Sequence, residues 1–221
     1  MIALSRRNNG SMPSRLLPLF PLQVVVFPRT RIPLHIFEER YKTMVGEAIR
    51  DNGEFGVVLA KDDGIVNAGC TVVVDRVLKR YPDGRMDLVA AGRRRFEVLN
   101  INEEQDFLRG EVEYFDDDNP APAPAELQYK ALAQYKELVS LGVVEPFGEP
   151  DLEDPQLSFQ LAQSISDLDF LNLLLRNRSE AGRMKELNHY FSEYVPRQRE
   201  ALRMKALAPL NGHGRPLDSA G

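Results

Sequence analysis

The sequence predicts an α+β protein, in which a β-rich, barrel-like part is followed by a helical part. Short apolar stretches with strand-like patterns and turn residues between them fill the first half of the chain. After an acidic, proline-rich stretch at 116–125, the apolar residues recur at helical spacing. Six or more short strands with tight turns and one intervening helix favour a small closed or half-closed barrel over a parallel sheet.

The apolar stretch at residues 16–45 is cut into short pieces by four prolines, which are Pro18, Pro21, Pro28 and Pro33. Proline cannot donate a backbone hydrogen bond to a neighbouring strand, so these pieces are predicted to be edge strands or bent strands. Residues 31–35 are predicted to form the second of them.

A helix is predicted from Phe37, where the apolar period changes to that of a helix. Phe37, Tyr41 and Val45 are expected to pack it onto the strands. Asn52-Gly53 predicts its end, because both residues tolerate the left-handed backbone that closes many helices.

Five further strands are predicted in the first half of the chain, at residues 55–61, 69–81, 85–91, 94–101 and 107–115. Pro82-Asp83-Gly84 predicts a hairpin turn. Gly92 predicts a bend between two of the strands.

The clearest change of composition places a domain boundary in the acidic, proline-rich stretch. The predicted organisation is a flexible arm at 1–14, a barrel-like domain at 15–116, a linker at 117–123, a helical domain at 124–206 and a flexible tail at 207–221. Ser179 is a plausible N-cap of the last helix, and Pro196 is expected to kink or end that helix.

Composition limits the class of protein. Hydrophobic residues make up 43% of the 221 residues, as in ordinary globular proteins, and the formal charge of −5 disfavours nucleic acid as the main partner. The chain has a single cysteine, Cys70, which predicts a reducing, cytoplasmic location. No signal peptide and no membrane-spanning stretch is recognised, so no membrane association is expected.

Motifs for catalysis are missing from the sequence. It contains no G-x-x-x-x-G-K-[ST] phosphate loop and no G-x-S-x-G nucleophile motif. His35 with Glu38 and Glu39 lacks the second histidine of zinc-protease motifs, and His189 with Glu193 is typical of a surface pair on a helix. Cys70 is interpreted as a small buried residue. No catalytic residue, metal or cofactor is therefore predicted.

Several motifs in order resemble the opening of the Lon protease N-terminal (LON substrate-binding) domain family. They are Leu17-Pro18-Leu19-Phe20-Pro21-Leu22, Val26-Phe27-Pro28, Pro33-Leu34-His35-Ile36-Phe37-Glu38 and Arg40-Tyr41. Residues 55–59 and 92–96 resemble later strands of the same family, so that the resemblance covers roughly residues 15–205. Such an ordered series is more specific than one short motif.

The resemblance implies a PUA-like pseudo-barrel followed by a helical bundle. It also implies a module that binds unfolded or apolar protein segments. Since no phosphate loop occurs and no room is left for a peptidase domain, a free-standing, non-enzymatic member without ATPase or peptidase domains is expected. An adaptor in protein quality control that serves a protease or chaperone fits this expectation. The expected contact residues, near strand edges left unpaired by proline, are Phe27, Pro28, Leu34, His35 and Phe37.

Two other functions stay open from the sequence. PUA-like barrels occur in RNA-modifying proteins, and Arg93-Arg94-Arg95 is a short basic run, although few aromatic residues accompany it and nucleic acid is an unlikely partner. A cryptic hydrolase would need a convergent set of side chains that the sequence does not reveal.

Overall fold

The computed structural model describes four stretches of the chain, which are residues 16–62, 64–102, 106–145 and 148–207. The predicted arm at 1–14 lies outside these residues, and so does the predicted tail beyond residue 207. The chain divides into two compact units. The first contains the residues up to Asp116 together with Leu168–Arg176, and the second contains Asp117–Asp167 and the residues from Asn177.

The described residues form six strands and five helices, which confirms the α+β class. The strands are β1 (Leu17–Leu22), β2 (Arg31–Ile36), β3 (Phe55–Lys61), β4 (Gly64–Arg80), β5 (Met86–Asn102) and β6 (Arg109–Phe115). The helices are α1 (Glu39–Asp51), α2 (Ala125–Ser140), α3 (Leu157–Ala162), α4 (Leu168–Arg176) and α5 (Glu180–Leu207).

Five of the strands close into a ring, which gives the predicted pseudo-barrel. The sheet order is β2-β5-β4-β3-β1-β6, and an additional pairing between β5 and β6 joins the two ends of the five-stranded part. The β1–β3 pair is parallel, whereas the other pairs are antiparallel. β2 is added outside the ring, on the first half of β5.

Strand β5 runs for 17 residues without the predicted break at Gly92. Instead of a bend, Gly92 permits the backbone of Phe27 to approach β5 closely. A Cβ atom at Gly92 would lie 2.0 Å from the carbonyl oxygen of Phe27. Its N–H donates to the Thr30 carbonyl at 2.8 Å, and its carbonyl accepts from the Arg29 N–H at 2.9 Å. The missing side chain therefore lets the turn before β2 lie directly against β5.

Helix α1 packs through a narrow apolar stripe and ends where the sequence predicts. Tyr41, Met44 and Val45 are buried. Asn52 has φ of 49°, and the Gly53 N–H donates to the Ala48 carbonyl at 2.9 Å. Phe37 is 59% exposed and lies two residues before the helix, so the expectation that it packs the helix is wrong.

A buried arginine joins helix α4 to the strands of the first unit. Arg95 on β5 is 1% exposed, and its Nη1 donates to the Leu175 carbonyl at 3.1 Å. Lys61 and Asp169 form a second polar link, an ion pair at the surface. Helix α4 falls in the range predicted as the helical domain but belongs to the first unit. The predicted boundary at 117–123 stays a prediction.

The second unit is held by a buried polar cluster around Arg183. Its guanidinium donates to Asp117 at 2.6 Å and to Glu180 at 2.7 Å, and the Ser158 hydroxyl donates to Glu180 at 2.6 Å. The cluster fastens the start of the unit to α3 and α5.

Helix α5 begins as predicted and then passes the residue expected to disrupt it. The Ser179 hydroxyl accepts from the Gly182 N–H at 3.2 Å, in agreement with its predicted capping role. The helix continues through Pro196 to Leu207.

Candidate functional site

Strand β2 has one free edge in the described part of the chain. Its only strand partner there is β5. The Gly92 N–H donates to the Thr30 carbonyl, so residues 30 and 92 form a hydrogen-bonded pair. Hydrogen-bonded pairs alternate along an antiparallel ladder, so residues 32, 34 and 36 of β2 also direct their peptide groups to β5. Residues 31, 33 and 35 therefore direct their peptide groups to the free edge.

Pro33 occupies a position at this edge where proline is tolerated. Its missing N–H would point away from β5, so it removes no hydrogen bond from the β2–β5 ladder. The edge keeps two donors, at Arg31 and His35, and the carbonyl acceptors of all three outward residues. An extended segment of another chain can pair with these groups.

The structure separates the five predicted contact residues into two groups. Phe27, Pro28 and Leu34 are buried, with Phe27 only 1% exposed, which corrects the expectation that they form part of an open surface. The Thr30 hydroxyl donates to the Phe27 carbonyl at 2.8 Å and closes the turn. His35 and Phe37 are exposed. The apolar residues of this turn thus support β2 from within.

An aromatic cluster lies beside the free edge. The rings of His35 and Phe37 are stacked with centroids 5.9 Å apart, and the Tyr81 ring meets His35 edge-on with centroids 6.2 Å apart. We define the edge surface as the outward peptide groups of β2 together with the side chains of Pro33, His35, Phe37 and Tyr81. It combines unpaired backbone groups with an exposed apolar ring.

Asp87 fixes the orientation of this cluster. His35 Nδ1 lies 2.5 Å from Asp87 Oδ1, and the Tyr81 hydroxyl donates to Asp87 Oδ2 at 2.7 Å. Because a carboxylate only accepts, Nδ1 carries the proton in this contact. The hydrogen bond from His35, and next that from Tyr81, lower the pKa of Asp87. The carboxylate is thus charged at neutral pH, and its two oxygens hold both rings.

Sequence reasoning did not find Tyr81 or Asp87 as members of this site. The hairpin signal at Pro82-Asp83-Gly84 was present, but the cluster requires the pairing of His35 with Asp87 across β2 and β5. That pairing joins residues 52 positions apart. Only the strand register, which local patterns do not give, brings them together.

The other chemical candidates do not assemble into a site. Glu38 accepts a hydrogen bond from Arg40 at 2.9 Å, whereas His35 contacts Asp87. His189 and Glu193 form an exposed pair at 3.7 Å. No group of three potential metal ligands was found within the described ranges.

Cys70 and the basic run are likewise accounted for by the fold. Burial raises the pKa of Cys70 to about 12, so the thiol is not ionised at neutral pH, and its interpretation as a small buried residue agrees with its full burial. Arg95 is buried, whereas Arg94 lies over the Tyr114 ring at 3.9 Å and donates to Glu54 at 3.2 Å. The three arginines therefore do not form one basic surface.

A cleft of about 320 Å³ lies elsewhere in the first unit, between α1 and the strands. Met44 and Ala48 are among its apolar residues. Its arginines face acidic neighbours: Arg109 lies 3.9 Å from Glu47, and Arg94 pairs with Glu54 as above. The charges of this cleft are largely compensated within the protein. The edge surface is the stronger candidate, because its backbone groups have no partner in the described residues.

Comparisons with known proteins agree with this architecture. The family described as the ATP-dependent protease La (LON) substrate-binding domain matches residues 16–189. A Lon N-terminal domain protein from Xanthomonas campestris is 26% identical with a TM-score of 0.64, over 78% of this chain and 96% of that one. The N-terminal domain of a Mycobacterium avium complex Lon protease is 16% identical with a TM-score of 0.54, over 80% and 98% of the two chains, and this second likeness shows the fold.

Curated relatives are Lon proteases that match through a small part of their length. One from Anaeromyxobacter dehalogenans is 27% identical over 167 residues, which are 72% of this chain and 19% of that protein. One from Parabacteroides distasonis is 26% identical over 51% of this chain and 15% of that protein. Matches to three such relatives span between 12% and 19% of their length.

The fold is a pseudo-barrel with a free edge strand and an exposed aromatic ring beside it. The family match covers most of the chain, so this protein belongs to the LON substrate-binding domain family. Within the residues that the structure describes, no helix is both long and apolar enough to span a membrane.

Proposed function

We propose that this protein binds extended, apolar segments of unfolded proteins at the edge surface. The observation that carries the proposal is the exposed Phe37 ring directly beside the free edge of β2. The family description as a substrate-binding domain supports a role in binding protein substrates.

Two kinds of interaction would act together. Backbone groups of an incoming strand would pair with those of residues 31, 33 and 35, which gives affinity without sequence specificity. The Phe37 ring would take an apolar side chain of the segment, and the release of water from both surfaces would favour binding. His35 would hold Phe37 in place through the stacked contact.

The buried members of the predicted set would act indirectly. Phe27 and Pro28 would fix the turn against Gly92, and Leu34 would anchor the inner face of β2. Their role would be to keep the edge straight and open, while His35 and Phe37 contact the segment.

The wider biological role is also a proposal. A substrate-binding domain that does no chemistry itself would act as an adaptor in protein quality control and would pass its clients to a protease or a chaperone. The link to proteolysis is supported by the relatives, which are named Lon proteases. Location in the cytoplasm is proposed because the one cysteine is a free, buried thiol.

The test is capture of an unfolded model protein, reduced lactalbumin, by the immobilised chain. Phe37→Ser should reduce the amount captured about fivefold or more, because the exposed ring is lost. Its melting temperature should stay within about 2 °C of the wild type, since few packing contacts are removed.

Tyr129→Ser in α2 is the matched control, because Tyr129 is 62% exposed but lies in the second unit. This variant should capture lactalbumin like the wild type. Equal capture by wild type and Phe37→Ser, or no capture by the wild type, would contradict the proposal.

A further inference from the structure

The hairpin between β4 and β5 carries a charge opposite to that of the whole protein. Residues 76–85 contain four basic side chains, Arg76, Lys79, Arg80 and Arg85, and one acidic side chain, Asp83. The formal charge of the chain is −5. A concentration of positive charge on an acidic protein creates a local field that attracts anions.

The carboxylates around this hairpin are already engaged. Asp87 accepts from His35 and Tyr81, and Asp83 accepts from Arg85 Nε at 2.7 Å. Asp75 pairs with Arg31 at 3.3 Å. Each of these acids therefore has a partner within the protein.

Three of the four bases, Arg76, Lys79 and Arg80, form no ion pair with an acidic residue among the described residues. Arg76 and Lys79 are exposed, Lys79 interacts electrostatically with Asp87, and Arg80 donates to the Met86 sulfur at 3.2 Å. The exposed side chain of Leu78 lies between Arg76 and Lys79 in sequence, with 57% of its surface accessible. The hairpin thus carries more positive charge than its own acidic residue balances, and this excess accompanies an exposed apolar side chain.

These groups continue the edge surface across the sheet. Lys79 and His35 both pair with Asp87 in the strand register, from opposite sides of β5, so their side chains share one face. The Lys79 ammonium lies 4.4 Å from the centre of the Tyr81 ring. A segment bound at the edge surface would have this basic group within reach of its longer side chains.

We propose that the segments bound at the edge surface are acidic as well as apolar, with aspartate or glutamate side chains directed to Arg76 and Lys79. This inference rests on the proposed function and adds the chemical class of the segment. Residues of a strand alternate between faces. Phe37 stacks on His35 and so shares the face of the basic residues, where the segment would place an apolar side chain against Phe37 and carboxylates near Lys79 and Arg76. The positions of the opposite face would be apolar.

Acidic protein fits this surface better than single-stranded nucleic acid. Nucleic acids are bound without sequence preference on free aromatic faces. The Tyr81 ring has Lys79 at 4.4 Å and Arg85 at 5.0 Å from its centre, and one face of His35 is covered by Phe37. Neighbours of the same chain thus cover Tyr81 and one face of His35 and leave Phe37 as the mainly exposed ring, whereas single-stranded nucleic acids stack successive bases on several aromatic side chains.

The experiment compares two fluorescein-labelled peptides by anisotropy. In one, leucine occupies every second position, and the positions between hold phenylalanine and glutamate; in the other, glutamine replaces each glutamate. The glutamate peptide should bind about tenfold more tightly at low salt, and the difference should shrink as salt is raised toward about 0.5 M. An Arg76→Gln/Lys79→Gln variant should abolish the difference and leave binding of the glutamine peptide unchanged.

Lys130→Gln/Lys185→Gln is the matched control, because it removes the same charge from exposed positions of the second unit. It should retain the preference for glutamate. Equal binding of the two peptides would overturn the acidic class and leave the proposed function standing. Absence of binding by both peptides overturns the acidic class, and the proposed function also fails if lactalbumin is not captured. Tighter binding of labelled oligouridine, lost in the Arg76→Gln/Lys79→Gln variant, would assign this surface to nucleic acid instead.

Discussion

At the scale of single residues, a few hydrogen bonds hold the turn at residues 27–30. Gly92 exchanges hydrogen bonds with Arg29 and Thr30, and the Thr30 hydroxyl closes the turn onto Phe27. These contacts set the direction in which the chain enters β2. The position of the edge surface therefore depends on a glycine that lies in another strand.

Replacement of Gly92 tests this dependence. Gly92→Ala should destabilise the protein by about 2–3 kcal/mol, because the new Cβ would meet backbone atoms of Phe27 and backbone atoms move only at a cost. Urea unfolding measures the change. Gly46→Ala is the control: apart from its chain neighbours and the backbone of α1, no atom lies within 4 Å of its Cβ position, so alanine should be neutral or stabilising by up to about 1 kcal/mol. Similar stability for the Gly92→Ala variant and the wild type would show that the close approach is not required.

At the scale of elements, helix α1 depends on one aromatic contact. The ring centroids of Tyr41 and Phe20 are 4.3 Å apart, and Tyr41 is 6% exposed. Burial is also the main cause that raises the pKa of its hydroxyl. Tyr41 therefore packs α1 together with Met44 and Val45, and its ring contacts Phe20 of β1.

Tyr41→Ala should reduce the free energy of unfolding by about 3 kcal/mol or more, because it leaves a cavity and removes the ring contact. Thermal or urea denaturation measures this loss. Phe37→Ala, four residues earlier, removes an exposed ring and should change stability by less than about 0.5 kcal/mol. An equal effect of the two substitutions would mean that Tyr41 does not carry the packing of the helix.

Local patterns predict elements well where the signal and its cause are both local. The third strand was predicted at 55–61, and β3 has these bounds. Asn52-Gly53 ends α1 because the left-handed backbone is a property of those residues. Gly92 shows where local patterns are insufficient. A glycine within a strand can mark a bend or a close backbone approach, and the turn at Phe27, which is distant in sequence, determines which of the two occurs.

The candidate site was predicted less completely for the same reason. The sequence identified the segment that contains His35 and Phe37, but it could not separate their exposure from the burial of Phe27 and Leu34. The sequence alone does not distinguish a large apolar side chain that faces the core from one that faces solvent. Tyr81 and Asp87 join the site through strand pairing, for which the sequence carries no local signal.

At the scale of the whole molecule, the first unit is not continuous in sequence. It takes α4 from a region between two segments of the second unit. Leu171, Leu174 and Leu175 of α4 are buried, and the helix supplies the carbonyl that accepts from the buried guanidinium of Arg95. A charged group in the interior is costly without its partners, so α4 stabilises β5 as well as covering apolar surface.

A fragment of residues 16–116 tests whether the first unit needs this helix. It lacks α4 and should be less stable than the same unit in the full chain by about 2 kcal/mol or more, because Arg95 loses an acceptor and apolar surface becomes exposed. Amide hydrogen exchange of β4 and β5, compared between fragment and full chain, measures the difference in opening free energy. A synthetic peptide of residues 166–178 added to the fragment should restore protection, whereas a peptide with the same composition in scrambled order should not. If the fragment alone protects these amides as well as the full chain does, the barrel is independent of α4, and the boundary that the sequence places after residue 116 is sufficient to define it.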